Sequence, residues 1–386
     1  MRCSDFELGG YSKPLRVVLG LLAIAISGCA QALPLQQSEQ AGFRVVSVAQ
    51  GLDHPWGMAF LPDGAILVTE RIGRLRLITS EGKLQRKPIR GVPKVRARGQ
   101  GGLLDVALHP DFEKNRWVYF SYAGLGKGGA NTEVARARFD GRALTGLEII
   151  FRAQPKVNTG NNHYGSRLLF DRNGMLFVTL GERYQLRDRA QSIEDHLGTV
   201  VRLHDDGRIP ADNPFVGRDD AEPEIFTYGH RNAQGMALRP GTNTVWTHEH
   251  GPRGGDEVNI LQAGANYGWP AITYGIDYSG ATISELSEAP GMEQPVVYWV
   301  PSIAPSGMAF YTGDRFPQWK GDLFVGALAK RRLRRLELEG DRVVAQEMLL
   351  RDLNERIRDV RSGPDGYLYL LTDSSDGELL RLEPVE

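Results

Sequence analysis

Cysteine is almost absent from this 386-residue chain: there are two, Cys3 and Cys29, both within the first 34 residues. No internal disulfide can hold the remainder together, so stability has to come from a packed core, with or without bound metal. An excess of charge of either sign is also missing. Forty-six Lys and Arg stand against 47 Asp and Glu, a net charge of -1, which leaves no general attraction for nucleic acid or anionic lipid. The apolar run Val17–Ile26 is too short for a bilayer, which needs roughly 20 residues. After residue 40 no long amphipathic helical period appears. Hydrophobics at 41% and charges at 24% exclude the disordered and fibrous classes.

The first 34 residues read as an address. Lys13 and Arg16 precede the short apolar run, and small residues follow it, the pattern of a secretory signal. Two processing sites compete. Ala30-Gln31-Ala32 is an A-x-A site, whereas Ile26-Ser27-Gly28-Cys29 resembles a bacterial lipoprotein box that would acylate Cys29 and anchor the chain without spanning a membrane. The expected location is the periplasm, with outer-membrane anchoring if Cys29 is lipidated. Residues 35–386 are expected to form a single domain.

Glycine is in excess, 46 residues or about 12% against roughly 7% on average. It marks the centres of a motif written six times: an apolar run, a polar turn, then an alternating apolar strand. The copies are GMAFLPDGAILVTE (57–70), LLDVALHPDFEKNRWVYFSY (103–122), SRLLFDRNGMLFVTLGE (166–182), GMALRPGTNTVWTHE (235–249), GMAFYTGDRFPQWKGDLFVGAL (307–328) and IRDVRSGPDGYLYLLTD (357–373). Asp-Gly, Asn-Gly and Pro-Gly are hairpin chemistry, because glycine accepts positive φ. The spacing, about 60 residues per unit, exceeds the 40–45 of a compact propeller blade and implies long loops on one face. A β-sandwich would not explain six echoes. The chain is therefore expected to be all-β, a six-bladed β-propeller, with residues 35–50 as a leader that helps close the ring.

Candidate chemistry lies beside the repeats. Gly229-His230-Arg231-Asn232-Ala233-Gln234-Gly235 offers guanidinium and amide donors to an anionic or carbonyl-rich ligand; the bland alternative is a surface arginine beside a turn asparagine. His163 sits between a Gly-rich loop and the third unit, and an imidazole there suits a general base, although most of the eight histidines should be structural. The turn from Glu249 to Glu257 could aim oxygen ligands at a hard cation such as Ca²⁺, or be a solvated acidic loop. His248 and His250 lack a third ligand at zinc spacing. Lys330 opens a basic run that is mostly solvated strand. Arg356 and Arg358 share one strand face, where two guanidiniums repel unless an anion lies between them.

Taken in order, GHRNAQG, EHGPRGGDEVN, ANYGWP (265–270), PSIAPSGMAFY (301–311) and RIRDVRSGPDGYLYLLTD (356–373) resemble the soluble pyrroloquinoline-quinone (PQQ)-dependent glucose and aldose sugar dehydrogenases, from about residue 45 to the C-terminus. That family is a six-bladed propeller. The resemblance implies that His163, in HYGSRL against the family's His-x-x-Gly-Arg-Leu-like context, is the base for the substrate hydroxyl. It implies that Gln100, Arg231 and Asn232 contact the quinone, and that Lys330, Arg356 and Arg358 pair with its three carboxylates. By the same resemblance the carbonyls of Gly251 and Pro252 hold Ca²⁺, Trp299 forms an aromatic wall, and Glu257, Tyr267 and Asp277 bind a second, structural calcium. The implied reaction is aldose oxidation at C1 to a lactone, electrons leaving to an external cytochrome or quinone, from a monomer or homodimer. A calcium-dependent lactonase-like propeller and a non-catalytic envelope propeller that binds glycans or proteins are the alternatives.

Overall fold

The alternating runs pair into six antiparallel sheets in the computed structural model, which describes residues 35–385. The expected export signal and Cys29 lie outside the described residues. Helix among the described residues is confined to Phe112–Asn115 and the short 3-10 turns Arg187–Gln191 and Pro317–Trp319. None is long and apolar enough to cross a membrane.

The sheets follow chain order. The first holds Pro55–Phe60, Ile66–Glu70 and Arg74–Ile78. The second holds Leu103–Leu108, Trp117–Gly126, Gly129–Phe139 and Leu144–Arg152. The third holds Leu168–Phe170, Leu176–Thr179, Thr199–Leu203 and Ile225–Tyr228. The fourth comprises Ala233–Leu238, Val245–Glu249, Asp256–Ile260 and Val297–Trp299. The fifth comprises Pro305–Phe310, Leu323–Ala327, Arg332–Glu339 and Arg342–Leu349. The sixth is built from Ile357–Ser362, Leu368–Thr372 and Gly377–Pro384, completed by Gly42–Leu52. Each sequence unit becomes the first two strands of one sheet, and the first strands adjoin around the ring, 357–362 meeting 55–60.

The seam is closed by the leader. Phe43 pairs with Pro384, Val45 with Leu382 and Leu52 with Gly377, so the N-terminal strand completes the sheet that the C-terminus begins. Edge hydrogen-bonding groups that would otherwise be left open are thereby satisfied. Apolar clusters fall between successive sheets: Leu67, Leu75, Val106 and Phe120 between the first and second, Phe43, Trp319, Phe324 and Leu380 between the fifth and sixth. Each such side chain contributes about 1.5–3 kcal/mol on burial.

The axis, by contrast, is polar. Arg167 Nη1 lies 3.0 Å from both Asp105 and Asp359, and Arg361 lies 3.1 Å from the same two carboxylates. This crowding explains the glycine that opens two of the repeats. A Cβ on Gly57 would stand 2.5 Å from Asp105 Oδ1, and one on Gly307 2.3 Å from Asp359 Oδ1.

Candidate active site

Each sheet is reached through a segment that runs into its first strand, and its second strand returns toward that segment. Side chains from these lead-in segments and from the residues just after the second strands line two adjoining clefts. One, of about 390 Å³, is lined by Glu182, Tyr184, Arg231, Pro252, Trp269 and Tyr278. The other, of about 270 Å³, is lined by Trp56, Arg71, Gln100, Arg356, Arg358 and Asp373. Tyr278 belongs to both.

His163 lies just behind the larger cleft, 5% exposed and edge-on to Tyr184 at 5.2 Å between ring centres. Its φ is +53°, a left-handed backbone that a non-glycine residue adopts only when its surroundings hold it there. Gln100 Oε1 accepts its backbone N–H at 2.8 Å, and Glu182 Oε2 lies 2.7 Å from Nδ1. The carboxylate fixes the proton on Nδ1, leaving the Nε2 lone pair without a protein partner among the described residues. Burial lowers the imidazole below its ordinary pKa, with Arg231 and Arg183 adding to the effect and Glu182 opposing it. The ring is therefore a neutral base around neutral pH.

Arg231 and Asn232 lead into the fourth sheet. Arg231 Nη1 donates to the carbonyls of His250 and Gly251 at 3.0 and 2.9 Å, and its backbone N–H donates to Glu249 Oε2 at 2.5 Å. Glu249 is held in turn by His230 Nδ1 at 2.8 Å. Asn232 Oδ1 accepts the N–H of Gly165 at 3.0 Å. Arg231 Nε and Asn232 Nδ2 are buried without a partner. Such donors cost about 1–3 kcal/mol each until something accepts from them. Pro252 lines the same cleft as Arg231, and Gly251 directs its carbonyl at the guanidinium.

Arg356 and Arg358 do come together, and the anion between them belongs to the chain. Asp373 Oδ2 lies 3.1 Å from Arg356 Nη2 and 2.8 Å from Arg358 Nη2. Burial alone would raise the Asp373 pKa, but Arg358 and Arg356 hold the carboxyl well below its usual range. The pair therefore does not by itself require an outside anion, a correction to the sequence reading. Arg358 nonetheless keeps a buried, unpartnered Nε. Lys330 is exposed, in a left-handed turn at φ +67°, directly after Leu328 and Ala329 of the smaller cleft.

Glu257 and Tyr267 meet around a small pocket with Glu249, Gly251 and Thr273. Glu257 is paired across the strands with Glu249, and burial together with that neighbour raises its pKa to about 8. The Tyr267 hydroxyl is committed, donating to Ile260 O at 2.6 Å and accepting from Gln262 N at 3.0 Å, so only its backbone is free to ligate. Asp277 is not brought to them. It sits at the mouth of the larger cleft, bonded to Ser279 and 3.9 Å from Arg187. Trp299 reaches neither cleft; it ends the fourth strand of its sheet, farthest from the axis, packs with Trp246, Val258 and Met308, and donates to Gln346 at 2.8 Å. Trp269 and Tyr278 line the larger cleft instead. His248 and His250 each engage a carbonyl, of Ser306 and Pro305, through Nε2, and among the described residues neither joins a group of three metal ligands, so no zinc set forms there. His196 clusters with Glu222 and Glu224, but its Nδ1 accepts from Gln154 N at 3.0 Å. The proton is therefore on Nε2, leaving no lone pair for a metal.

A family model described as "Glucose / Sorbosone dehydrogenase" matches residues 52–381. The chain belongs to that family.

It is 51% identical over 339 residues to the aldose sugar dehydrogenase YliI of Escherichia coli K12, covering 86% of this chain and 91% of that protein. The soluble aldose sugar dehydrogenase of Escherichia coli in its apo form superposes with a TM-score of 0.86 at 48% identity, over 89% of this chain and 100% of that one. The PQQ-bound aldose sugar dehydrogenase of Streptomyces coelicolor superposes at 0.73 with 28% identity, over 89% and 99%.

The motif reading passes over two side chains of this dehydrogenase, Glu182 and Asp373, and takes Glu249 only as a possible cation ligand. Their signal is written in the repeats, four of which end in a carboxylate, Glu70, Glu182, Glu249 and Asp373. Each grips the segment leading into its own sheet. Glu70 accepts Asp53 N at 2.9 Å, Glu182 binds His163, Glu249 binds His230 and Arg231, and Asp373 binds Arg356 and Arg358.

Proposed function

We propose that this dehydrogenase oxidises aldose sugars at C1 to lactones, using PQQ and Ca²⁺ with His163 as the base. The observation that carries this reading is the set of buried, unpartnered donors on Arg231, Asn232 and Arg358, ranged beside a neutral His163 whose Nε2 is free. A flat molecule bearing quinone oxygens and three carboxylates fits that donor set. The PQQ-bound relative supports it. Arg231, Asn232 and Gln100 would contact the quinone, and Lys330, Arg356 and Arg358 its carboxylates. The carbonyls of Gly251 and Pro252 would hold the ion. When bound, the quinone supplies a two-electron acceptor and Ca²⁺ a Lewis acid that polarises it.

The chain's own part is placement and proton transfer. His163 Nε2 would take the C1 hydroxyl proton, while Glu182 keeps the ring oriented and stabilises the imidazolium. Arg231, fixed by the His250 and Gly251 carbonyls, presents its remaining donors to negative charge as it develops. Trp269 and Tyr278 give the sugar an apolar wall. Glu257 and the Tyr267 backbone would hold a second, structural Ca²⁺, without Asp277. Export through the N-terminal segment, anchoring at Cys29 and release of electrons to an external cytochrome or membrane quinone complete the reading. The lactonase alternative gains nothing from the axial carboxylates, because Asp105 and Asp359 are neutralised by Arg167 and Arg361.

The test is an absorbance titration of metal-stripped protein with PQQ, with and without Ca²⁺, followed by dye reduction with a panel of aldoses. Tight, Ca²⁺-dependent binding and aldose-dependent reduction are expected. No binding and no reduction would sink the reading, and acid release from a lactone without quinone would replace it.

A further inference from the structure

Arg71 follows the second strand of the first sheet, the position that Glu182, Glu249 and Asp373 border in their own sheets, and no motif draws attention to it. Its backbone is pinned on both sides: its N–H donates to His54 O at 3.1 Å, and its carbonyl accepts from Leu103 N at 3.1 Å. Its stem is packed against the loop that carries Gln100. A Cβ on Gly102 would lie 1.9 Å from the Arg71 carbonyl oxygen and 2.6 Å from its Cγ, so only glycine lets the two chains pass. The half-buried guanidinium, however, makes no hydrogen bond or ion pair among the described residues, although it lines the cleft of Arg356, Arg358 and Asp373. Its charge reaches both Arg358 and Asp373.

The cation balance of that cleft is uneven. Arg356 and Arg358 already share Asp373, and Lys330 stands exposed at the rim. Arg71 alone among the three lining guanidiniums has every donor unengaged, on a rigid stem, in a cleft where three guanidiniums face one carboxylate. A fork of this kind matches a carboxylate bidentately without breaking an existing pair.

We propose that Arg71 is a cofactor-binding residue, receiving a carboxylate of the quinone beside Arg356 and Arg358, whose donors are already partly committed to Asp373. The inference rests on the quinone reading above, and its test separates the two. Metal-stripped wild type, Arg71→Gln, Arg71→Lys and Arg98→Gln are titrated with PQQ in Ca²⁺, by absorbance, at low and high salt. Arg98 is exposed and lines only the neighbouring cleft that Arg71 also borders. Arg71→Gln should weaken binding about 10- to 100-fold and flatten its salt dependence. Arg71→Lys should recover part of the loss, and Arg98→Gln should bind within about twofold of wild type. Because the side chain has no folded-state partner, the apo Arg71→Gln protein should melt within about 2 °C of wild type. Wild type that binds while Arg71→Gln binds equally well overturns the inference and leaves the quinone reading intact. A large drop in apo Tm would also overturn it, by revealing a structural partner. Wild type that fails to bind removes both.

Discussion

The two ends of the ring are made of the same strands and obey different rules. At the end where the inner hairpins turn, Asp63-Gly64, Asn173-Gly174, Pro240-Gly241 and Asp365-Gly366 put glycine at φ between +75° and +84°. The turns close on themselves, with Gly64 N–H donating to Leu61 O and Gly174 N–H to Asp171 O. At the cleft end left-handed backbone is shared between glycines, Gly99, Gly229 and Gly255 among them, and six side-chain-bearing residues: His54, His163, Arg183, Tyr184, Ala304 and Lys330. Buried donors of Arg183, Arg231, Asn232 and Arg358 are unpartnered there. One end follows local propensity. The other violates it repeatedly, and the violations concentrate where chemistry is proposed.

The sharpest way to break this comparison is to remove the base. His163→Ala should lower kcat/KM for aldoses about 10³-fold, with a stability cost of about 1–3 kcal/mol because the buried Glu182 carboxylate loses its imidazole partner. A variant with near-wild-type turnover would dissolve the case for a catalytic end. Asp373→Asn comes next and acts mainly on stability. It leaves Arg358 and the more exposed Arg356 without their shared anion, and should cost about 3 kcal/mol by urea unfolding. PQQ should restore more stability to this variant than it adds to wild type; equal gains would show that the arginines do not face the ligand.

Glu182→Gln should reduce kcat about 100-fold by loosening the His163 ring. Burial already holds His163 below its ordinary pKa while Glu182 opposes the shift. The acid limb of kcat/KM should therefore lie below the ordinary histidine value of about 6.5 in wild type and move lower still in this variant. An acid limb that moves upward would contradict the dyad. The smallest effect belongs to the opposite end. Gly174 has φ +75° with open space where a Cβ would stand, so Gly174→Ala should cost about 1 kcal/mol through backbone strain alone. Its activity should be unchanged, and a loss of turnover at constant stability would mean the two ends are coupled.

Much of the fold was legible because the repeat is local. Turn glycines and alternating strands occur within each unit of sequence, and all six units became the first two strands of a sheet. The closing role of the leader was readable for a related reason: 42–52 is a long strand whose local partner is only the two-residue Gln36–Gln37, and it finds a full-length partner across the seam at 377–384. The site was legible only where a motif concentrates unusual residues on one lead-in segment, as at Arg231 and Asn232. Trp299 shows the limit. Its neighbours in sequence lie beside the motifs, but three strands of the same sheet separate it from the axis. Asp277 shows another, since its loop carries it to the mouth and away from Glu257.

By itself the sequence determined the number of blades, the hairpin turns and the residues that run into each sheet, because hydrogen-bonded turns and side-chain alternation are set by near neighbours. Only the tertiary structure decided which charges meet. Glu182 with His163 and Asp373 with Arg356 and Arg358 are joined across 15 to 19 residues. Asp105 reaches Arg361 across 256. Whether a charge is paired, buried or left waiting depends on distance in space and on exclusion of water, and chain order encodes neither until the ring closes.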